Sequence, residues 1–171
     1  MNITFLRHAK TNLNGKGFIA TQLDYPLNES GKNQCKSCLF EEGSFDNVYC
    51  SPFKRTIETA KLIYPYKSPI ITKDITQRDL GILNEKFKKD YDNNYLKLVR
   101  EYIINPENAE TLEQILERLD NFFAELLIAQ NRDDNILVVT HNGIMRIIKK
   151  FYMDQDKEIE TKNLGSFTFS I

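Results

Sequence analysis

The chain of 171 residues contains two histidines, each placed where an apolar run meets a polar turn. His8 follows Asn2-Ile3-Thr4-Phe5-Leu6-Arg7, and His141 follows Asn135-Ile136-Leu137-Val138-Val139-Thr140. In an open α/β sheet, ligands bind outside the carboxyl ends of the strands. Imidazole is also the side chain whose ordinary pKa suits proton and group transfer near neutrality. Arg7 adjoins the first histidine. Arg55 falls in the first turn of a helix announced by Ser51-Pro52, with serine as the expected cap and proline at the first helical position.

Two arginines and two histidines gathered at strand ends make a pocket for a dianion. A guanidinium keeps its charge at any working pH and matches phosphate oxygens two at a time, and helix N-termini add backbone donors. A cation in a helix's first turn opposes the macrodipole unless an anion joins it, which favours a phosphate partner for Arg55. Histidine also serves as a nucleophile that divides one displacement into two. His8, on the tight strand-to-loop junction, is the better nucleophile candidate. His141 then stabilises charge on the phosphoryl oxygens. Carboxylates and cysteines do not cluster with the histidines as a metal site requires, and no G-x-x-x-x-G-K-[ST] loop is present.

These residues must be held by elements that the apolar periodicity predicts. Ile3 to Leu6 reads as a buried strand, followed by a long glycine-bearing loop over 9–28 and a helix over 29–42. A strand at 48–51, a helix over 53–64 and a strand at 69–72 come next. Residues 85–104 are helix-like and lysine-rich, with Phe87, Tyr91, Tyr95 and Tyr102, and Asn105-Pro106 breaks them. Leu112, Ile115, Leu116, Leu119, Phe122, Phe123, Leu126 and Leu127 show the spacing of an amphipathic helix. A strand at 136–140, a helix over 143–152 and an alternating strand at 166–171 complete the order. Strands interleaved with helices predict an α/β fold with a mainly parallel central sheet, in one domain spanning 1–171. Segment 84–110 reads either as a small cap over the pocket or, more ordinarily, as a solvated helix face with aromatic anchors.

A net charge of −1 supplies no global field for nucleic acid or an anionic membrane, and neither is an expected partner. No apolar run approaches the roughly 20 residues of a membrane span. Three cysteines point to a reducing cytosol. Cys35 and Cys38 form a C-x-x-C inside the helix predicted for 29–42, where two small residues on one face is the simpler reading.

As a set, these motifs resemble the histidine phosphatase superfamily in its phosphoglycerate mutase-like branch. Leu6-Arg7-His8-Ala9 resembles the family's Arg-His-Gly signature, with alanine in the third place. Thr11, Asn14, Gly17, Asp24, Pro26, Leu27, Gly31 and Gln34 fall where that branch has its loop and first helix. The run from Ser51 to Ala60 is similar to the second phosphate-arginine motif. The run from Val139 to Arg146 is similar to the segment bearing the second histidine, with Asn142 where glycine is common, and Asn163 also fits. The resemblance implies a three-layer α/β/α sandwich, with His8 as the phosphorylated nucleophile. It further implies that Arg7, Asn14, Arg55, His141 and Asn142 hold the phosphoryl group, without metal or organic cofactor.

One departure affects the chemistry. The family's Leu-x-Glu-Arg-x-x-Gly segment, which carries the general acid, appears here as Ile75-Thr76-Gln77-Arg78-Asp79-Leu80-Gly81. Gln77 has no proton to give, and general acid catalysis is typically worth about 10² to 10⁴ in rate. Asp79 is the first substitute, since two residues on in an extended segment lies the same face. A substrate with a good leaving group is the second explanation, and binding with little turnover is the third. Glu110, in Ala109-Glu110-Thr111-Leu112, resembles a Gly-Glu-Ser-Leu segment of the family and reads equally as a helix-start charge. The leading expectation is a phosphomonoesterase acting on a small phosphorylated metabolite. A protein phosphohistidine phosphatase and a phospho-ligand-binding protein are the rivals.

Overall fold

A computed structural model describes residues 1–154 and 162–171. Five strands form one sheet: β1 (Asn2–Arg7), β2 (Asn47–Cys50), β3 (Ile70–Ile71), β4 (Asn135–Thr140) and β5 (Ser166–Ser170). Their order is β3-β2-β4-β1-β5. The first four are parallel, and β5 runs antiparallel beside β1. The helices are α1 (Glu29–Lys36), α2 (Lys54–Ile63), α3 (Asn93–Arg100), α4 (Leu112–Ala129) and α5 (Asn142–Tyr152).

Alternation along the strands sends neighbouring residues to opposite faces. Ile3, Phe5, Ile136 and Val138 pack against Ile115, Leu119 and Phe122 of α4 and Ile144 and Ile147 of α5. Leu6, Val48, Leu137 and Val139 face the other way, onto Ala60, Ile63 and Tyr64 at α2. Central β4 is covered on both faces, which is why it reads as an unbroken apolar run. The result is a three-layer α/β/α arrangement.

Three expected elements differ. The first helix stops at Lys36 because Phe40 leaves the helical path: its N–H donates to Ile63 O at 3.1 Å and its ring packs on Phe45. In the expected helix 85–104 only Asn93–Arg100 is α-helical, opened by Asp92, whose side chain accepts from Tyr95 N. The residues before it pair with the long loop instead. Glu85 N donates to Ile19 O and Ile19 N to Lys86 O, both at 2.8 Å, and the Phe18 and Phe87 rings meet at 4.9 Å. Here a tertiary pairing has overridden a local helical preference. The third difference is at α2, where Ser51 does not cap. The N-cap is Phe53, without a side-chain bond, and Asp24 from the long loop accepts from Lys54 N.

Helix α2 fastens that loop at several points. Glu58 accepts from Leu27 N at 2.8 Å, and Thr59 Oγ1 accepts from Ala9 N at 3.0 Å. Gly31 of α1 passes so near residue 10 that a Cβ would stand 2.2 Å from Lys10 O, a close approach only glycine permits. The loop is thereby folded over the carboxyl ends of β1 and β4.

Candidate active site

Strands β1 and β4 are adjacent and in register, Arg7 opposite Thr140, so the residues that follow them emerge together. His8 N donates to Thr140 O at 3.0 Å, and the two imidazole centroids lie 5.4 Å apart. On the other side of β4 ends β2, where Ser51 N donates to Val139 O at 3.3 Å. Three neighbouring strand ends therefore present His8, His141 and Ser51 side by side.

The hydrogen bonds define both imidazoles. His8 Nδ1 lies 2.8 Å from Ala9 O, and a carbonyl only accepts, so the proton is on Nδ1 and the Nε2 lone pair is left over. Burial, then Arg55 and Arg7, push the His8 pKa down to about 3, and the ring is neutral. Thr56 Oγ1 has one proton, and carbonyl oxygens of Phe53 and Ser51 lie 2.7 and 2.8 Å away. Thr56 thus accepts from the Ser51 hydroxyl at 2.8 Å, which leaves Ser51 Oγ to accept from His141 Nε2, also at 2.8 Å. Burial, then Arg55, hold His141 well below the usual imidazole range.

Arg55 is buried, with Nη1 donating to Leu23 O at 2.7 Å and Nη2 to Thr21 O at 3.1 Å. Its guanidinium lies 4.2 Å over the Phe53 ring. Burial lowers its pKa to about 10 while Asp24 opposes the shift, so it remains cationic at neutrality. Asn14 Oδ1 accepts from Thr11 N at 2.8 Å and Asn163 Nδ2 at 3.4 Å, which leaves the amide NH₂ for the cavity it lines. Asn163 also donates to His8 O at 2.9 Å.

A cavity of about 1190 Å³ brings together Arg7, His8, Asn14, Arg55, Gln77, His141 and Asn142. Farther out it meets Lys88, Arg100, Arg146, Lys149 and Lys150, with Glu101 the one carboxylate among the described lining residues. A chain of net charge −1 has concentrated its cations here. Among the described residues, no three His, Cys, Asp or Glu side chains are grouped as metal ligands.

Asp79 is not brought to this cavity. It lines a separate, smaller one with Glu110, and its carboxylate accepts from Gly81 N at 2.8 Å and from Asn84 Nδ2. The shared-face expectation fails because the Asp79 carboxylate is held by Gly81 N and Asn84, where the chain turns into a short 3₁₀ helix at Gly81–Leu83. Glu110 is tied to Arg118 at 2.6 Å, and Arg118 also donates to Asp74 O and Thr76 O. Sequence reasoning missed the couplings of Ser51 and Thr56, and it missed Arg78. Arg78 donates to Glu110 O, Val99 O and Asn105 Oδ1 at 3.0, 2.7 and 2.6 Å, and lies 4.3 Å over the Tyr102 ring. The signal available for Ser51 was its place at a strand end. Nothing local in the sequence distinguishes Arg78 as a brace.

Neutral burial of the histidines has a pH consequence. In the unfolded chain His8 takes up a proton below about 6.5, whereas in the folded chain it waits until about 3. The stability is complete above the unfolded value and declines as pH falls, by up to about 1.4 kcal/mol per pH unit from this residue. His141 adds in the same direction. Urea unfolding at pH 7.5, 6 and 5 is expected to show this decline, shallower in His8→Asn and shallower with inorganic phosphate, whose charge raises both histidine pKa values. An identical slope in all three conditions would mean that His8 is not buried neutral.

The model of the histidine phosphatase superfamily (branch 1) matches residues 3–163. The chain is 28% identical over 167 residues to 6-phosphofructo-2-kinase/fructose-2,6-bisphosphatase 4 of Homo sapiens, spanning 92% of its own length and 34% of that protein's. It is 26% identical over 163 residues to the adenosylcobalamin/alpha-ribazole phosphatase of Salmonella typhimurium, covering 86% of this chain and 77% of the other. It is 28% identical over 171 residues to the phosphatase PhoE of Bacillus subtilis, covering 95% and 82%. A mycobacterial glucosyl-3-phosphoglycerate phosphatase, solved with VO3, superposes with a TM-score of 0.87 at 18% identity over 99% of this chain and 92% of that one. A phosphoglycerate mutase from Thermus thermophilus superposes at 0.78 with 21% identity over 98% and 92%. With both histidine segments inside the matched span, the chain belongs to the histidine phosphatase superfamily, branch 1.

Proposed function

We propose that the chain hydrolyses a small phosphorylated metabolite through a phosphohistidine on His8, using neither metal nor organic cofactor. The observation that carries this reading is the Nδ1 contact of His8 with Ala9 O, which leaves a neutral Nε2 lone pair in a cation-lined cavity. The phosphoryl group sits among Arg7, Arg55, the Asn14 amide and His141. Its charge is met by guanidinium forks and by backbone N–H groups at the start of α5, near Asn142. Nε2 attacks phosphorus as the leaving oxygen departs, and water then opens the P–N bond. His141, drawn into protonation by the bound dianion, stabilises the equatorial oxygens. The fructose-2,6-bisphosphatase and alpha-ribazole phosphatase names of two relatives support a small-molecule substrate. A reducing cytosol suits the three unpaired thiols of Cys35, Cys38 and Cys50.

The test is turnover of 4-nitrophenyl phosphate and acetyl phosphate in EDTA, with an alkaline quench to trap labelled protein. The expected label is stable in alkali, labile in acid and confined to the peptide bearing His8. Turnover without such a label sinks the covalent route. Gln77 in the cavity favours one second reading, a protein that binds phospho-ligands without turning them over. Phosphate affinity with neither turnover nor label would put that reading first.

A further inference from the structure

Gln77 shares the cavity with His8 and His141, packed so close to Gly143 that a Cβ there would stand 2.8 Å from its Oε1. That Oε1 is buried and has no hydrogen-bond partner among the described residues. The segment around it is held firmly. Gln77 O accepts from Gln22 Nε2 at 3.0 Å, and Arg78, the next residue, is bound at all three guanidinium nitrogens. Exchanging the amide's oxygen and nitrogen changes nothing chemically, since a carboxamide releases no proton near neutrality.

A departing alkoxide needs a proton as its P–O bond breaks, whereas a departing carboxylate does not. The described groups around the cavity are poorly placed to supply one. Glu101 ends α3, with its carboxylate 3.9 Å from Lys97 and partly in solvent. The Tyr102 phenol is raised above its ordinary pKa by burial and lies beneath Arg78. Tyr25, Lys88 and Lys150 are exposed, and Lys149 holds its ammonium 4.5 Å from the Phe167 ring. His141 Nε2 is committed to Ser51, and the proton that the bound dianion draws onto its Nδ1 is engaged by the equatorial oxygens rather than by the leaving one. Asp79 and Glu110 line the other cavity and are already bonded there.

Taking the phosphohistidine reading as its basis, we propose that the substrates carry the phosphoryl group on a leaving group that departs as a stable anion, acyl phosphates first among them. His8 Nε2 forms the P–N bond while the acyl P–O bond breaks, and the carboxylate leaves with both electrons and no proton. Water then attacks phosphorus, the P–N electrons return to Nε2, and both protons of the water leave with dihydrogen phosphate. The Gln77 amide donates a hydrogen bond to the departing oxygen without transferring its proton. It selects the leaving group rather than protonating it.

The experiment compares acetyl phosphate, 4-nitrophenyl phosphate, phenyl phosphate and glycerol 1-phosphate, whose leaving groups rise in basicity from carboxylate to alkoxide. The readout is kcat/KM and the rate of phosphohistidine formation, for the unmodified chain and Gln77→Glu. The expected result is a steep fall along the series for the unmodified chain. Gln77→Glu is expected to gain about 10²-fold or more on glycerol 1-phosphate, with little change on acetyl phosphate. It is also expected to acquire a basic limb in its pH profile as the new acid deprotonates. Glycerol 1-phosphate cleaved by the unmodified chain as fast as acetyl phosphate overturns this inference and leaves the phosphatase reading standing. No phosphohistidine from any of the four substrates overturns both.

Discussion

His8→Asn is expected to lower kcat/KM for 4-nitrophenyl phosphate by about 10⁴-fold or more, the scale seen when a covalent nucleophile is removed from a working set. Asparagine retains an N–H that can donate to Ala9 O, as His8 Nδ1 does at 2.8 Å, so the strand end keeps its local bond. What it lacks is the second nitrogen and its lone pair. Arg7, Arg55 and the Asn14 amide are untouched, so inorganic phosphate is expected to bind within about tenfold of its original affinity. The measurements are steady-state turnover and titration calorimetry with phosphate. Retained turnover would place the nucleophile elsewhere. Lost binding together with lost turnover would show a collapsed pocket rather than a missing nucleophile.

Arg55→Lys should be the next most damaging change, although it keeps the charge. The guanidinium spans Thr21 O and Leu23 O while lying over Phe53, and an ammonium on a flexible stem reproduces neither the fork nor the stacking. Leaving a buried carbonyl unsatisfied costs about 1 to 3 kcal/mol, so losing either or both contacts lowers stability by a few kcal/mol at most. The larger consequence is for the phosphoryl group. Residues 21–24 are tethered to α2 through Arg55 and through the Asp24 contact with Lys54 N, and loosening them blurs the donor geometry. Activity is expected to fall about 10²-fold, the usual loss for one preorganised donor to a developing anion. Urea midpoints and turnover measured on the same preparation check both parts. An unchanged midpoint would mean that the two carbonyl contacts contribute nothing to holding the loop.

Part of the negative charge expected beside Arg55 comes from the chain itself. A cation in a helix's first turn invites a negative partner, and Asp24 meets part of that demand in the folded chain by accepting from Lys54 N and by raising the Arg55 pKa against burial. The cavity's affinity for a phosphate therefore comes from the convergence of Arg7, His8, Arg55 and His141 more than from the helix dipole. Asp79 teaches the complementary point. Its placement two residues from Gln77 suggested a shared face, yet an Asx turn with Gly81 N directs its carboxylate into a different cavity.

By itself, the sequence determined the parallel α/β class, the strands that end at His8 and His141, and the arginine of α2. Those features are written in short-range periodicity: β4 reads as continuous apolar sequence because both of its faces are covered, and α4 shows the stripe it buries. Only the tertiary structure decided that β4 lies between β1 and β2, and hence that Ser51 meets His141 while Thr56 sets the direction of the proton. It alone decided that 85–88 pairs with the loop around Ile19, that Arg78 braces the segment behind Gln77, and that Asp79 turns away. The physical reason is that local pattern reports which residues must be buried and with what period. Which distant segment buries them, and where a loop side chain then finds its hydrogen bonds, is set by strand order and by contacts between residues tens of positions apart.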